Sequence, residues 1–419
     1  MKVQRCKGTR DLVPEDMKTF RFIEKVFRDY CLQWGYEEIK TPTLEYLSLF
    51  TSTGTLTPDM LGKVYSFLDW DGWSGERVVL RPDVTIPVTR LYIENMEGRE
   101  LAKLFYVTNT FIFEETGKET REKWQCGAEL IGDSSASADV ELMVMALEII
   151  KQLEIRDAKL KLSHAGLIKA LLAKLGLSMD EQIRIFDQIL DGETEALARI
   201  KPEEPELGKT LSLLLDQKGK TSGFLKNLMT IYNRHLPELE SPLNNFIDIA
   251  EILEASGYTF SIDISSGRGF EYYTGVIFQL FVGTDKIGGG GRYDALIPLM
   301  GGKNVPASGF ALYLDRLMNQ LKSKMHTKAT IQKVLIRSNQ SEIKDCFNVV
   351  KCLHESGYTA EPYLNGHKSS EFRWVLNIQS KSPRFVLSDQ SRKKEFEAQT
   401  VDTILALLEE TGANKDSVT

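Results

Sequence analysis

Residues 106–132 read YVTNTFIFEETGKETREKWQCGAELIG. Two runs of aromatic and β-branched residues flank a charged loop, the pattern of an antiparallel hairpin. Side chains alternate faces along a strand, so Phe105, Val107, Phe111 and Phe113 share one side, assigned to the core, while Tyr106, Thr108, Thr110 and Ile112 share the other. On the returning strand Gln125 and Glu129 lie on one face and Trp124, Cys126, Ala128 and Leu130 on the opposite one. Two polar groups four residues apart on a strand look into the same pocket. An exposed sheet face with scattered polar residues is the plainer reading of this pattern. Neither reading accounts for Ile112, an apolar residue where the polar face should continue.

Outside the hairpin, apolar residues at Phe20, Ile23, Phe27, Tyr30 and Trp34 recur every three or four positions and stop at Gly35, which predicts an amphipathic helix with a glycine terminator. The segment GYEEIKTPTLEYLSLF (35–50) reads as an edge or interface strand broken by Pro42. RVVLRPDVTIPVTRLYIENM (77–96) predicts a short buried strand, a break at Pro82 and a helix whose first turn Asp83 can cap. Further strands are expected around 260–264 and 272–283. The expected fold class is therefore α+β, an antiparallel sheet flanked by helices, rather than a doubly wound parallel sheet.

A chain of 419 residues with 42% hydrophobic content is long enough for two or three domains of ~150 residues. The boundaries read as a core over 1–324, a helical insertion within it at about 167–256, and a small α/β domain over 331–419. The five cysteines form no CxxC pair and no pattern with the five histidines, so neither a zinc site nor a disulfide framework is indicated. With no apolar N-terminal segment and no run approaching the ~18 residues that span a bilayer, a cytoplasmic location is expected. A net charge of −7 argues against a general nucleic-acid binder, which needs clustered Lys and Arg.

Two more segments could carry chemistry. In SSGRGFEYYTGVIFQLF (265–281), Arg268 stands between glycines that let backbone approach a ligand, and arginine suits a carboxylate or phosphate; a turn with a solvated arginine is the commoner outcome. In IGGGGRYDALIPLMGGKNVPASGFALYLDRL (287–317), four glycines are expected to enter a helix, and Arg316 sits on a later one. Asn304 follows Gly302 and Lys303, so this is not a nucleotide-binding GK[ST] loop.

In this order, KGTRDLVPE, GYEEIKTPTLEYLSLF, VVLRPDVT, the hairpin, GRGFEYYTG, GGGGRYDAL and GFALYLDRL resemble the segments of the histidyl-tRNA synthetase family, a class II synthetase core, over roughly residues 7–320. The family has two branches, the synthetase and a non-catalytic paralogue, the regulatory subunit of short-form ATP phosphoribosyltransferase in histidine biosynthesis. Where synthetases read RPEGT this chain reads Arg81, Pro82, Asp83, Val84, Thr85, the form resembling the regulatory branch. Ile112 stands where a synthetase carries the arginine that holds the α-phosphate during adenylate formation. Loss of such a donor costs on the order of a hundred-fold to a thousand-fold in rate.

The resemblance implies a histidine pocket. Asp83 and Gln125 would meet the amino group, Glu129 and Tyr273 the imidazole, with Arg268, Tyr272 and Tyr293 completing it, while Ile112, Arg121 and Arg316 mark a relic ATP site. It further implies a homodimer within a hetero-oligomer, the short catalytic subunit as partner, histidine as feedback effector, and no cofactor, metal, nucleic acid or membrane. The alternative is a divergent histidyl-tRNA synthetase using ATP and Mg2+, which Arg268, Arg316 and the C-terminal segment favour. The basic triplet Arg392, Lys393 and Lys394 reads as a solvated turn.

Overall fold

The structure, a computed structural model, describes residues 3–53, 61–69, 75–113, 120–174, 213–232, 236–265, 272–321, 333–365 and 371–411, together with residues 177, 178, 181, 182, 185 and 188. The hairpin loop at 114–119, Arg268 with its flanking glycines, the 322–332 linker and much of the expected helical insertion lie outside these residues. The chain divides into two compact units, Met1–Ser323 and Lys324–Thr419.

The strands of the first unit are β1 (Glu37–Glu38), β2 (Leu44–Tyr46), β3 (Ser66–Leu68), β4 (Arg77–Leu80), β5 (Ala102–Phe111), β6 (Glu122–Ile131), β7 (Ala158–His164), β8 (Lys218–Gly219), β9 (Phe260–Asp263), β10 (Val276–Val282), β11 (Asp285–Arg292) and β12 (Ala307–Tyr313). Among the described residues, nine of them form one sheet in the order β1-β5-β6-β12-β11-β10-β7-β9-β8, and β2-β4-β3 form a small second sheet. The central pairings are antiparallel, whereas β1 with β5 and β7 with β9 run parallel. The sheet is thus largely antiparallel, as expected, with parallel pairs towards its margins.

Helices cover one face of this sheet. The helix Pro14–Gln33 starts with proline at its first position and acidic Glu15 and Asp16 in its first turn, where proline needs no N–H and negative charge meets the positive end of the dipole. Its Phe20, Ile23, Phe27 and Cys31 are buried, and the Phe27 ring meets Phe105 of β5 at 6.1 Å and Phe310 of β12 at 6.3 Å. Gly35 follows with φ of +78°, a conformation glycine adopts without steric cost. Helices Ala136–Gln152 and Glu240–Ala255 extend the same core. Every second residue of β6 points into it, including Cys126, Ala128 and Leu130, which leaves Gln125 and Glu129 on the other face.

Several details differ from the sequence reading. The run Gly288–Gly291 does not enter a helix; it lies within β11, paired on both sides, and only the short helix Leu296–Leu299 follows. A glycine run has no side-chain periodicity to reveal a strand. Residues 47–51, read as strand, form a short helix. Ile112 lies beyond the end of β5, its N–H donating to Arg121 O at 2.9 Å. Phe113 is not core: it is 43% exposed, with the Arg121 guanidinium 4.2 Å from its ring centre. No described helix is long and apolar enough to cross a membrane.

The second unit builds a five-stranded sheet, β14-β13-β15-β16-β17, from β13 (Val334–Arg337), β14 (Ala360–Pro362), β15 (Trp374–Ile378), β16 (Phe385–Asp389) and β17 (Lys394–Ala398). Helices Ile343–Glu355 and Val401–Glu410 accompany it, and Thr400 caps the latter by accepting from Thr403 N. Arg392 and Lys393 occupy the exposed turn before β17, with Lys393 at φ of 51°.

A buried ion pair joins Arg292 at the end of β11 to Asp139 on the helix Ala136–Gln152. Arg292 Nε donates to Asp139 Oδ2 at 3.0 Å, and both side chains are at most 5% exposed. Burial pulls the Asp139 carboxyl up to about 6 although the guanidinium opposes it, so the pair is charged at neutral pH. Asp139→Ala would leave the buried guanidinium with the more exposed Asp294, 3.1 Å away, and backbone carbonyls as its partners, and breaking a buried pair costs up to about 3–5 kcal/mol. Urea unfolding at pH 7 is expected to show a destabilisation of that size, against a small effect for Asp285→Ala on the surface.

Candidate functional site

The polar face of β6 looks into a cavity of about 80 Å³ whose lining includes Asp83, Thr85, Tyr106, Gln125, Tyr272, Tyr273 and Tyr293. By the measure of ~10–15 Å³ per water this is room for roughly half a dozen waters.

Asp83 arrives here because Pro82 ends the run from β4 and the chain turns into the helix Thr85–Asn95. Its Oδ1 accepts from Ile86 N at 2.9 Å, which caps the helix, while Tyr272 OH reaches Oδ2 at 3.5 Å. The capping role and the pocket-facing role are both met by this one carboxyl. Burial pushes it up to about 6, against hydrogen bonds that hold it down.

Glu129 is 1% exposed and lies behind the lining rather than in it. Thr85 Oγ1 donates to its Oε1 at 3.0 Å, Tyr106 OH reaches the same oxygen at 3.4 Å, and Tyr293 OH donates to Oε2. Burial is the largest influence on this carboxyl and raises it to about 8, with the negative charge of Asp83 adding to the rise while the hydroxyl donors oppose it. Gln125 Nε2 donates to Tyr106 OH at 3.4 Å. Tyr272 meets Tyr273 at 5.2 Å and Tyr293 at 5.6 Å, both edge to face, an arrangement aromatic rings favour.

Glycine supplies the space. A Cβ at Gly309 would fall 1.7 Å from Glu129 Oε2, one at Gly127 2.3 Å from the Tyr106 ring and hydroxyl, and one at Gly291 3.0 Å from the Tyr273 ring. Gly309 opposes both Glu129 on β6 and Gly291 on β11, so the centre of the sheet is bare where the tyrosines and the carboxylate converge.

Arg81 sets the frame from outside. It is 2% exposed; its Nη1 donates to Thr41 O and Pro42 O, both at 2.9 Å, and its Nε to Asn109 O at 2.8 Å. The β1–β2 connection, β5 and the start of the Asp83 helix are thereby joined through one guanidinium.

Of the residues singled out in the sequence, Asp83, Gln125, Tyr272, Tyr273 and Tyr293 line the cavity, Glu129 backs it, and Arg268 lies outside the described residues. Ile112, Arg121 and Arg316 are not among its lining residues; Arg121 packs against Gly8 and Phe113, and Arg316 is exposed on the helix Leu314–Leu321. Thr85, Gln279, Lys286 and Tyr313 also belong to the lining and were not singled out. A buried glutamine in the aromatic run VIFQLFV, 6% exposed, was the one signal available for Gln279.

A model of the histidyl-tRNA synthetase family matches residues 8–317. The chain is 49% identical to an ATP phosphoribosyltransferase regulatory subunit of Dehalococcoides mccartyi, covering 97% of this chain and 98% of that one. It is 34% identical to a histidine–tRNA ligase of Methanococcus maripaludis over 87% of this chain and 88% of that one. A solved structure from Bacillus halodurans, described as an ATP phosphoribosyltransferase regulatory subunit/histidyl-tRNA synthetase, superposes with a TM-score of 0.76 at 24% identity, covering 91% of this chain and all of that one; at that identity it speaks for the fold alone.

Two outcomes are expected of the site. Asp83 and Glu129 hold their protons more tightly folded than unfolded, so the stabilisation they give is complete at low pH and is lost as pH rises through about 6 and about 8. Thermal melts should show stability falling between about pH 4 and about pH 8 and levelling above that, by several kcal/mol at most, and Glu129→Gln should flatten the upper part of that fall. Gly309→Ala should destabilise by about 1–3 kcal/mol through overpacking, read by the same melts at pH 6.

Proposed function

This chain belongs to the histidyl-tRNA synthetase family and, within it, to the ATP phosphoribosyltransferase regulatory subunits, and we propose that it serves there as a histidine sensor that performs no chemistry itself. What supports the reading is the pairing of a polar, tyrosine-walled pocket with an isoleucine, Ile112, where the resemblance places a synthetase's adenylate-forming arginine. Histidine, the end product, would occupy the cavity with its amino group towards Asp83 and Gln125. Its ring would lie among Tyr106, Tyr273 and Tyr293, whose hydroxyl orientations Glu129 holds through Tyr106 and Tyr293.

The partner on this reading is the short catalytic subunit, which condenses ATP with phosphoribosyl pyrophosphate. Effector and partner then act on one equilibrium: if histidine favours an inhibited arrangement of the complex, that arrangement binds histidine more tightly by the same factor. A homodimer inside a hetero-oligomer, a cytoplasmic setting, and the absence of any cofactor requirement belong to the same proposal. The similarity to a histidine–tRNA ligase over 87% of the chain supports a second reading, a divergent synthetase that activates histidine with ATP.

Histidine-dependent exchange of labelled pyrophosphate into ATP separates the two. The chain alone is expected to give no exchange while binding histidine. Mixed with the short catalytic subunit, it is expected to yield phosphoribosyltransferase activity that histidine suppresses. Exchange at a rate near that of a working synthetase would sink the sensor reading.

A further inference from the structure

The cavity has one face that the histidine assignments leave without a role. Gln279 on β10 and Lys286 on β11 both line it, together with Gly289 and Tyr313. A register shift between Leu280 and Phe281 lets Phe281 oppose Lys286 while Leu280 opposes Gly288, so one extra residue is accommodated and Lys286 is turned onto the pocket face. A Cβ at Gly289 would lie 3.5 Å from Lys286 Cε. The lysine stem therefore runs back along β11, over a residue with no side chain, towards the centre of the cavity. Gln279 opposes Gly289 on the neighbouring strand and is 6% exposed.

An amino acid brings three groups that must be met on burial: a ring or other side chain, an ammonium and a carboxylate. Asp83 lines the cavity, can serve a ring N–H or ammonium group, and repels a carboxylate once ionised, while Glu129 stands behind the lining and offers a carboxylate no positive charge. An unpaired carboxylate in a dry site costs several kcal/mol, so the pocket needs a cation at the end remote from Glu129. Among the described lining residues Lys286 is the one lysine or arginine. Gly289 lies two residues before Gly291, which shares the level of Gly309 and Glu129; two strand residues span roughly 7 Å, a distance one amino acid with a ring side chain covers. We propose that Lys286, seconded by the Gln279 amide, is the carboxylate anchor of this pocket and makes it selective for a free amino acid over its decarboxylated or reduced counterparts. The proposal rests on the sensor reading and adds to it which end of the ligand faces which strand.

The test is calorimetry of the full chain, alone and with its catalytic partner, using histidine and histidinol, which keeps the ring and amine but has an alcohol in place of the carboxylate. Lys286→Met is expected to weaken histidine by about 10- to 100-fold, the worth of a hydrogen bond to a charged group, and to leave histidinol within about twofold. Lys286→Arg, which keeps the charge, should retain most of the preference for histidine. Unchanged histidine affinity in Lys286→Met overturns the assignment, as does an equal loss for both ligands, which would mean that the lysine only shapes the cavity. Loss of the preference for histidine in Arg268→Met but not in Lys286→Met would overturn it in favour of that arginine. A wild-type chain that binds no histidine in either setting overturns the sensor reading and this proposal with it, whereas the other adverse outcomes leave the sensor reading intact. Melting curves of each variant confirm that affinity is read on folded protein.

Discussion

The whole pocket hangs on one buried carboxyl. Glu129 sits at 1% exposure in the middle of a sheet, where an ionisable group is costly unless hydrogen-bonded. Its donors come from three places in the chain: Thr85 at the start of a helix, Tyr106 on β5 and Tyr293 just after β11. Satisfying this group therefore gathers segments far apart in sequence, and it fixes the hydroxyls of two tyrosines whose rings form the walls. The same demand explains the bare strands. Gly309 and Gly127 are not turns here; they sit within or beside paired strands because Glu129 and Tyr106 already fill the volume a methyl would take. A carboxyl placed this way gains little from being charged, and its rise to about 8 follows from the burial that the packing imposes.

Much of this was legible in the sequence, for an identifiable reason. The hairpin could be read because strand alternation is strict, and the alternation of Gln125 and Glu129 against Cys126, Ala128 and Leu130 marks the two faces without any structure. The cap at Asp83 was legible from proline followed by aspartate before an apolar run. What failed were the places where side chains say nothing. The Gly288–Gly291 run carries no periodicity, so a fully paired strand looked like a loop entering a helix. Lys286 escaped because a register shift in β10–β11 decides its face, and a shift of one residue reverses the face of everything before it. Glu129 was assigned to the right pocket but to the lining itself, since alternation tells which face a side chain takes and not which neighbours stand in front of it.

Ile112 stands just past the end of β5, where its backbone N–H closes the hairpin onto Arg121 O and its side chain is half-buried. Neither Ile112 nor Arg121 is part of the cavity lining that Asp83, Gln125 and the tyrosines form. Arg121, close by, stacks over Phe113, an interaction that uses the face of the ring as a cation partner.

The geometry around Arg81 bears on how such a pocket can report its state. This guanidinium is almost wholly buried, and its donors are spent on Thr41, Pro42, Thr108 and Asn109. Burial lowers its affinity for a proton, and the negative charge of Glu45 offsets part of that. Two residues later the chain presents Asp83 to the cavity. The place of that carboxyl is thus determined by contacts made outside the pocket, on the β1–β2 connection and on β5. A packed, fully hydrogen-bonded junction does not deform by degrees: it holds one arrangement or exchanges it for another. The position of Asp83 and the contacts at Thr41 and Pro42 therefore depend on the same side chain.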